Sequence, residues 1–279
     1  VHRRGFSPLV PDIHHVPYPR GPEMRTDPTA GRRCVKQIEE TLLKRVAPPE
    51  EVAAIFVEPI QGEGGYHVPP PDFLPALREL CDRYGILLVA DEVQSGMGRT
   101  GKLYALNHWD VEPDIVCLAK GIASGMPLGA MIARDAVMDW PSGSHASTFG
   151  GNPVSCRAAL ATLDLLERGY IINARERGEQ LRQGLLRLQR RYRQIGDVRG
   201  LGLMMAMDVV TDSEPHSPNP ELRDEIVQTA FHHGLLLLGC GESAVRFCPP
   251  LCVTAEQVET TLEILSRILT STKSEKLAV

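Results

Sequence analysis

Four short apolar runs between residues 53 and 133 constrain this chain most: AAIFVE (53–58), ILLVAD (86–91), DIVCLA (114–119) and LGAMIA (128–133). Each is too short for a buried helix. Each is bounded by a helical pattern or by a loop rich in glycine and proline. Apolar strands spaced in this way pack side by side in a buried, mostly parallel sheet with helices on its faces. The expected fold class is therefore α/β.

The flanking segments complete the plan. The first 27 residues, rich in Pro, Gly and His, read as an irregular connection. Asp27 precedes a helical pattern that runs to about Val46, and Pro48 and Pro49 end it. Asp72 caps a helix through Tyr84, and Gly85 closes it. Asn152 and Pro153 form the N-cap and first turn of a helix through Glu167, and a charged helix follows to about Arg193. The character then changes. GLGLMMAMDVV (200–210) reads as a strand with a glycine entry, and PNPELRDEIVQTAFHHG (218–234) as a helix with a glycine stop. LLLL (235–238) and AVRFCPP (244–250) read as short strands, and a last helix runs from Thr254 to about Leu269. This tail is a smaller α+β lobe. We set the division at 1–172 and 173–279, with the linking helix able to belong to either side.

Two strand ends carry groups that can do chemistry. LLVAD ends in Asp91 and Glu92, and DIVCLA is followed by Lys120. Ligands of open α/β sheets gather outside the carboxyl ends of the strands. A buried acid there stays ionised only beside a cation or good donors, and a protonated heterocyclic nitrogen would be such a partner. A lysine among Ala119, Gly121 and Ala123 has its ammonium form disfavoured, which frees the amine to act as a nucleophile. Plainer readings stand beside these: Asp91 capping its loop or pairing with Arg99, and Lys120 reaching out to solvent.

Several segments, in order and spacing, resemble the class III aminotransferases. They are VEPIQGEGG, LLVADEVQSGMGRTG, DIVCLAKGIASGMPLGA, STFGGNP and GLLLLGCGESAVRFCPPL. That family includes 4-aminobutyrate and acetylornithine aminotransferases, with related amino-acid racemases. The resemblance implies a fold: part of the large domain of a pyridoxal-phosphate-dependent transferase, with a smaller C-terminal domain. It also implies roles. Lys120 would hold pyridoxal 5'-phosphate covalently. Asp91 would bind the pyridine nitrogen, Val93 would pack on one ring face, and Gln94 would hydrogen-bond the ring hydroxyl. Thr148 would reach the cofactor phosphate of a neighbouring subunit, which implies a homodimer. Arg246 would clamp a substrate carboxylate, and Glu63 would pair with Arg246 when a substrate lacks one. The implied reaction moves an amino group between an amino acid, 4-aminobutyrate or another ω-amino acid, and a 2-oxo acid such as 2-oxoglutarate. Glu58, Arg99 and Arg199 read as structural.

A complete member of that family also carries an upstream Ser-Gly-Thr/Ser-Glu-Ala type loop that holds the cofactor phosphate, and an aromatic residue for the second ring face. Neither stands in this sequence, so impaired cofactor binding and an open sheet edge are expected. A racemase or epimerase on the same scaffold and a non-catalytic fragment are the alternative expectations.

Composition narrows the rest. With 30 Lys and Arg against 35 Asp and Glu, the net charge is −5, and nothing favours nucleic acid or a membrane surface. The apolar stretches are too short to span a bilayer. Seven cysteines, with no CxxC spacing, fit reduced thiols in a cytoplasm and no metal site.

Overall fold

The computed structural model describes residues 3–211 and 217–275. It contains two four-stranded sheets, ordered β1-β2-β3-β4 and β5-β6-β8-β7. The chain enters through a short helix, α1 (Pro22–Thr26), where an irregular connection is expected. It continues into α2 (Ala30–Ile38), which ends in a π turn over Glu39–Leu43 rather than running on as one helix.

The apolar runs become β1 (Ala54–Val57), β2 (Leu87–Asp91), β3 (Ile115–Leu118) and β4 (Ala130–Ala133). β1, β2 and β3 are parallel, and β4 returns antiparallel to β3. β2 is the central strand of this group: Leu88, Val89 and Ala90 are almost wholly inaccessible. That burial on both faces explains its uninterrupted apolar run. α3 (Phe73–Tyr84) lies in the β1–β2 crossover and buries Leu74, Leu77, Leu80 and Cys81. Gly85 ends it at φ 68°, a left-handed position that glycine takes at no steric cost. Asp72 does not cap α3 as expected. Its carboxylate instead accepts the Gly31 and Arg32 amides at 3.0 and 2.8 Å, so it serves the first turn of α2 and ties the two helices together.

α4 (Pro153–Leu165) begins as expected, with the Asn152 side chain accepting the Ser155 amide at 2.9 Å. A π turn carrying Gly169 at φ 147° joins it to α5 (Ile171–Arg191). β5 (Ile195–Leu201) and β6 (Met204–Val209) form a hairpin in place of the single strand expected over 200–210. The glycines that suggest a strand entry are in fact its turn: Gly200 and Gly202 lie at φ 131° and 54°. After α6 (Pro220–His232), the strand β7 covers Leu238–Cys240, not 235–238. Leu235 and Leu237 instead pack against the helix core, and Leu236 is exposed. β8 (Ala244–Phe247) and α7 (Ala255–Glu275) close the chain. Among the described residues, no helix is long and apolar enough to cross a membrane.

A close-packed seam joins the two sheets. Arg99 donates to the carbonyls of Leu203 and Pro249, so the expectation of a structural role holds for its contacts. Gly202 lies against the Thr100 backbone on one side and Gly178 of α5 on the other. A Cβ on Gly178 would meet the Gly202 carbonyl oxygen at 2.2 Å. Alanine normally favours a helix interior by about 1 kcal/mol over glycine. Here overpacking against backbone reverses the sign. Gly178→Ala is expected to destabilise the protein by about 1–3 kcal/mol, read as a lower urea midpoint. An unchanged or raised midpoint would show that the seam yields.

Candidate active site

Parallel pairing sets the geometry of the site. Val57 lies opposite Ala90, and Asp91 opposite Cys117. The carboxyl ends of β1, β2 and β3 therefore emerge at one edge of the sheet. They deliver Glu58 directly after β1, Asp91 as the last residue of β2, and Lys120 two residues past Leu118. Burial raises the Glu58 carboxyl above the usual carboxylate range. The Gly62 amide, donated to Glu58 Oε2 at 2.7 Å, opposes that rise; the charge of Asp91 adds to it, and that of Lys120 opposes it. Glu58, Asp91 and Lys120 thus share one electrostatic neighbourhood.

Backbone conformation marks the same place. Lys120 has φ 46°, in the left-handed region that a residue with a Cβ enters at a cost, and it opens the short helical turn Lys120–Ala123. Asp91 Oδ1 accepts the Val93 amide at 3.0 Å, which fixes the carboxylate and caps its own loop. Capping and a site role are compatible, since the bond occupies one oxygen. Glu92 takes a different part: it is buried, accepts Ser95 Oγ and the Leu106 amide, and braces the loop from beneath.

Gln94 links this edge to the other constellation. Its Nε2 donates to Glu63 Oε1 at 3.3 Å, while its Oε1 is buried with no hydrogen-bond partner among the described residues. A buried unpaired amide oxygen is costly and marks a place where a polar group of another molecule fits. Glu63 forms a short ion pair with Arg246 of β8. Burial opposes the charge on both members most strongly, but their mutual hydrogen bond and the surrounding charge interactions together outweigh it: Glu63 is held below the usual carboxylate range, and Arg246 is raised. The family resemblance implies site roles for Lys120, Asp91, Val93, Gln94, Glu63, Arg246 and Thr148, and the structure brings the first six to one region. Thr148 stands apart, exposed on the loop between β4 and α4 beside Phe149, whose exposure is 79%.

Sequence reasoning passed over two neighbours. Glu58 was read as structural and lies beside Asp91 and Lys120. Tyr66 is fully buried at φ 54°, with its hydroxyl toward Cys248 and within the field of Arg246; burial, then Cys248, pushes its pKa well above the usual phenol range. The motif position of Glu58, directly after an apolar strand like Asp91, was the available signal. For Tyr66 there was none, because its role depends on a contact 182 positions away, at Cys248. An apolar cavity of about 820 Å³, lined by Phe231, Leu236 and Leu238, lies beside the second sheet and reaches Arg246.

The family described as Aminotransferase class-III matches residues 1–269. An alanine/serine racemase of Pyrococcus horikoshii is 42% identical over 98% of this chain and 60% of its own length. The 4-aminobutyrate aminotransferase GabT of Escherichia coli is 42% identical over 83% of this chain and 55% of its own. In structure, the chain is similar to an amine transaminase from an uncultivated Pseudomonas species in the PLP-bound form. The TM-score is 0.89 at 36% identity, covering 97% of this chain and 64% of that one. This chain thus spans a little over half the length of those curated relatives.

The half-exposed Glu63–Arg246 pair contributes on the order of 1 kcal/mol or less to stability. Because the folded pKa of Glu63 is depressed, that contribution is present above the unfolded value, about pH 4.3, and is lost as pH falls through the lower folded value. Urea midpoints of the wild type and Glu63→Gln are expected to differ slightly at pH 7 and to converge below about pH 4. A gap that widens with acid would contradict the pairing.

Proposed function

This chain belongs to the class III aminotransferase family, and we propose that the protein transfers an amino group between an amino acid and a 2-oxo acid with pyridoxal 5'-phosphate. One observation carries the reading: a carboxylate and an amine stand at the adjacent carboxyl ends of β2 and β3, with the unpaired Gln94 oxygen beside them.

The residues present fit the cofactor. Asp91 would hold a proton on the ring nitrogen, as a carboxylate sustains a neighbouring cation. Val93 would cover one ring face, and Gln94 would meet the ring hydroxyl. Lys120 would hold the cofactor through its amine and, when released, would carry a proton to and from the substrate carbon. The bound cofactor supplies the electron sink for that proton's loss. Arg246 offers a two-pronged donor set to a carboxylate, and Glu63 neutralises it otherwise. This pairing favours substrates of two kinds, an ω-amine such as 4-aminobutyrate and a dicarboxylic acceptor such as 2-oxoglutarate.

Further readings rest on narrower support. The exposed Phe149, Val154 and Leu160, on and before α4, favour a homodimer in which Thr148 serves the partner's site. Seven free cysteines favour a cytoplasmic setting. The division near residue 172 is supported by two cores: one containing Leu166 with Tyr170 and Ile171 packed on it, and another beginning at Ala174. The racemase relative supports a second activity, racemisation on the same site.

The test is an amino-donor panel with and without 2-oxoglutarate, on a protein extended to the length of the relatives. Acceptor-dependent amino transfer is expected. Lys120→Ala should lower it by about a thousandfold or more and Asp91→Asn by about a hundredfold. Inversion of an amino acid without any acceptor would instead support the racemase. Full activity in Lys120→Ala would end both readings.

A further inference from the structure

Arg199 of β5 is a buried guanidinium whose hydrogen bonds divide between two tasks. Its fork is occupied by Asp208, at 2.6 and 2.8 Å, and Nη1 also reaches Asp197 at 3.2 Å. Asp197 is shared with Arg25 at 2.6 Å. The edge that remains, Nε, donates to the carbonyl of Gly65 at 2.8 Å. Gly65 belongs to the loop that carries Glu63. A second bond from the same sheet holds that loop, the Gly241 amide to the Glu63 carbonyl at 2.9 Å.

The loop has little other latitude. Gly65 sits at φ 125°, and a Cβ there would come within 2.9 Å of the His67 ring and 3.3 Å of the Arg199 guanidinium. With both carbonyls pinned, the backbone is placed so that the Glu63 carboxylate reaches Arg246. A salt bridge serving only to tie β5 to β6 within their own sheet would need the Asp208 fork alone. The spare Nε bond is spent on the one loop that occupies Arg246.

We propose that Arg199 is a positioning residue that holds the Glu63 loop against Arg246 and so sets how readily Arg246 accepts a ligand carboxylate. This rests on the reading of Arg246 as the carboxylate site. Any interaction that favours the paired state lowers the apparent affinity of a ligand that must displace it. Losing one hydrogen bond of ordinary strength corresponds to about a fivefold change.

The experiment is a calorimetric titration of glutarate, a plain dicarboxylate, into the protein and its variants. Arg199→Lys keeps the charge beside Asp208 but has no donor at the Nε position that serves Gly65. It is expected to bind glutarate about fivefold more tightly, and amide hydrogen exchange should quicken at Gly65 and Tyr66. In the Glu63→Gln background the same substitution should add nothing, since Arg199 acts through Glu63. If Arg199→Lys does not fold, Asp208→Asn, which loosens the same fork, decides in the same direction. Unchanged glutarate affinity in a folded variant with quickened exchange would reduce Arg199 to a structural tie and overturn the proposal. Arg246→Ala is the separate control: if it leaves glutarate binding intact, the carboxylate reading itself fails.

Discussion

The parallel pairing of β2 with β3 is the constraint on which the rest of this structure depends. It is regular from Val89↔Ile115 to Asp91↔Cys117, and on the β2 side it rests on the buried Leu88, Val89 and Ala90. A slip of one residue would turn every side chain of β2 to the opposite face. Leu88 and Ala90 would leave the core they share with Leu74 and Leu77. Register is therefore enforced by the hydrophobic effect, and the position of Asp91 relative to Lys120 is enforced with it. The chemistry gains its precision from apolar residues that take no part in it.

The second sheet contributes in a different way. It supplies Arg246, and it pins the loop bearing Glu63 through Gly241 and Arg199. Close backbone contact at Gly202, between Thr100 and Gly178, holds the two sheets at the separation these bonds need. A carboxylate-recognising arginine on one unit and its counter-ion on the other make the seam itself a functional element. Small changes in packing there would be felt as changes in which ligands Arg246 accepts.

How much of this was legible in the sequence follows from which interactions were local. The four strands of the first sheet could be placed because two-sided burial writes an unbroken apolar run. Gly85 and Asn152 could be placed because a left-handed stop and an N-cap are decided within one helical turn. The β5–β6 hairpin was missed because β5 carries Gly196, Asp197 and Arg199, polar or small residues that only the fold explains. Arg199 is buried against Asp208 and Gly65, contacts no spacing rule announces. Asp72 had the right residue type for a cap, and it does cap a helix, but α2 rather than α3. For the site, Asp91 and Lys120 gained meaning from strand ends, whereas the neighbourhood of Glu58 and Tyr66 emerged only from tertiary contacts.

Borohydride trapping tests the central claim most directly. The protein, extended to the length of its relatives, is incubated with pyridoxal phosphate, reduced, digested and mapped by mass spectrometry. Our account requires the pyridoxyl group on Lys120 and no other lysine, with labelling strongly reduced in Asp91→Asn. Labelling spread evenly over Lys36, Lys44 and Lys102, or unchanged in Asp91→Asn, would mean that the two strand ends do not address one ring, and the assignment would fall.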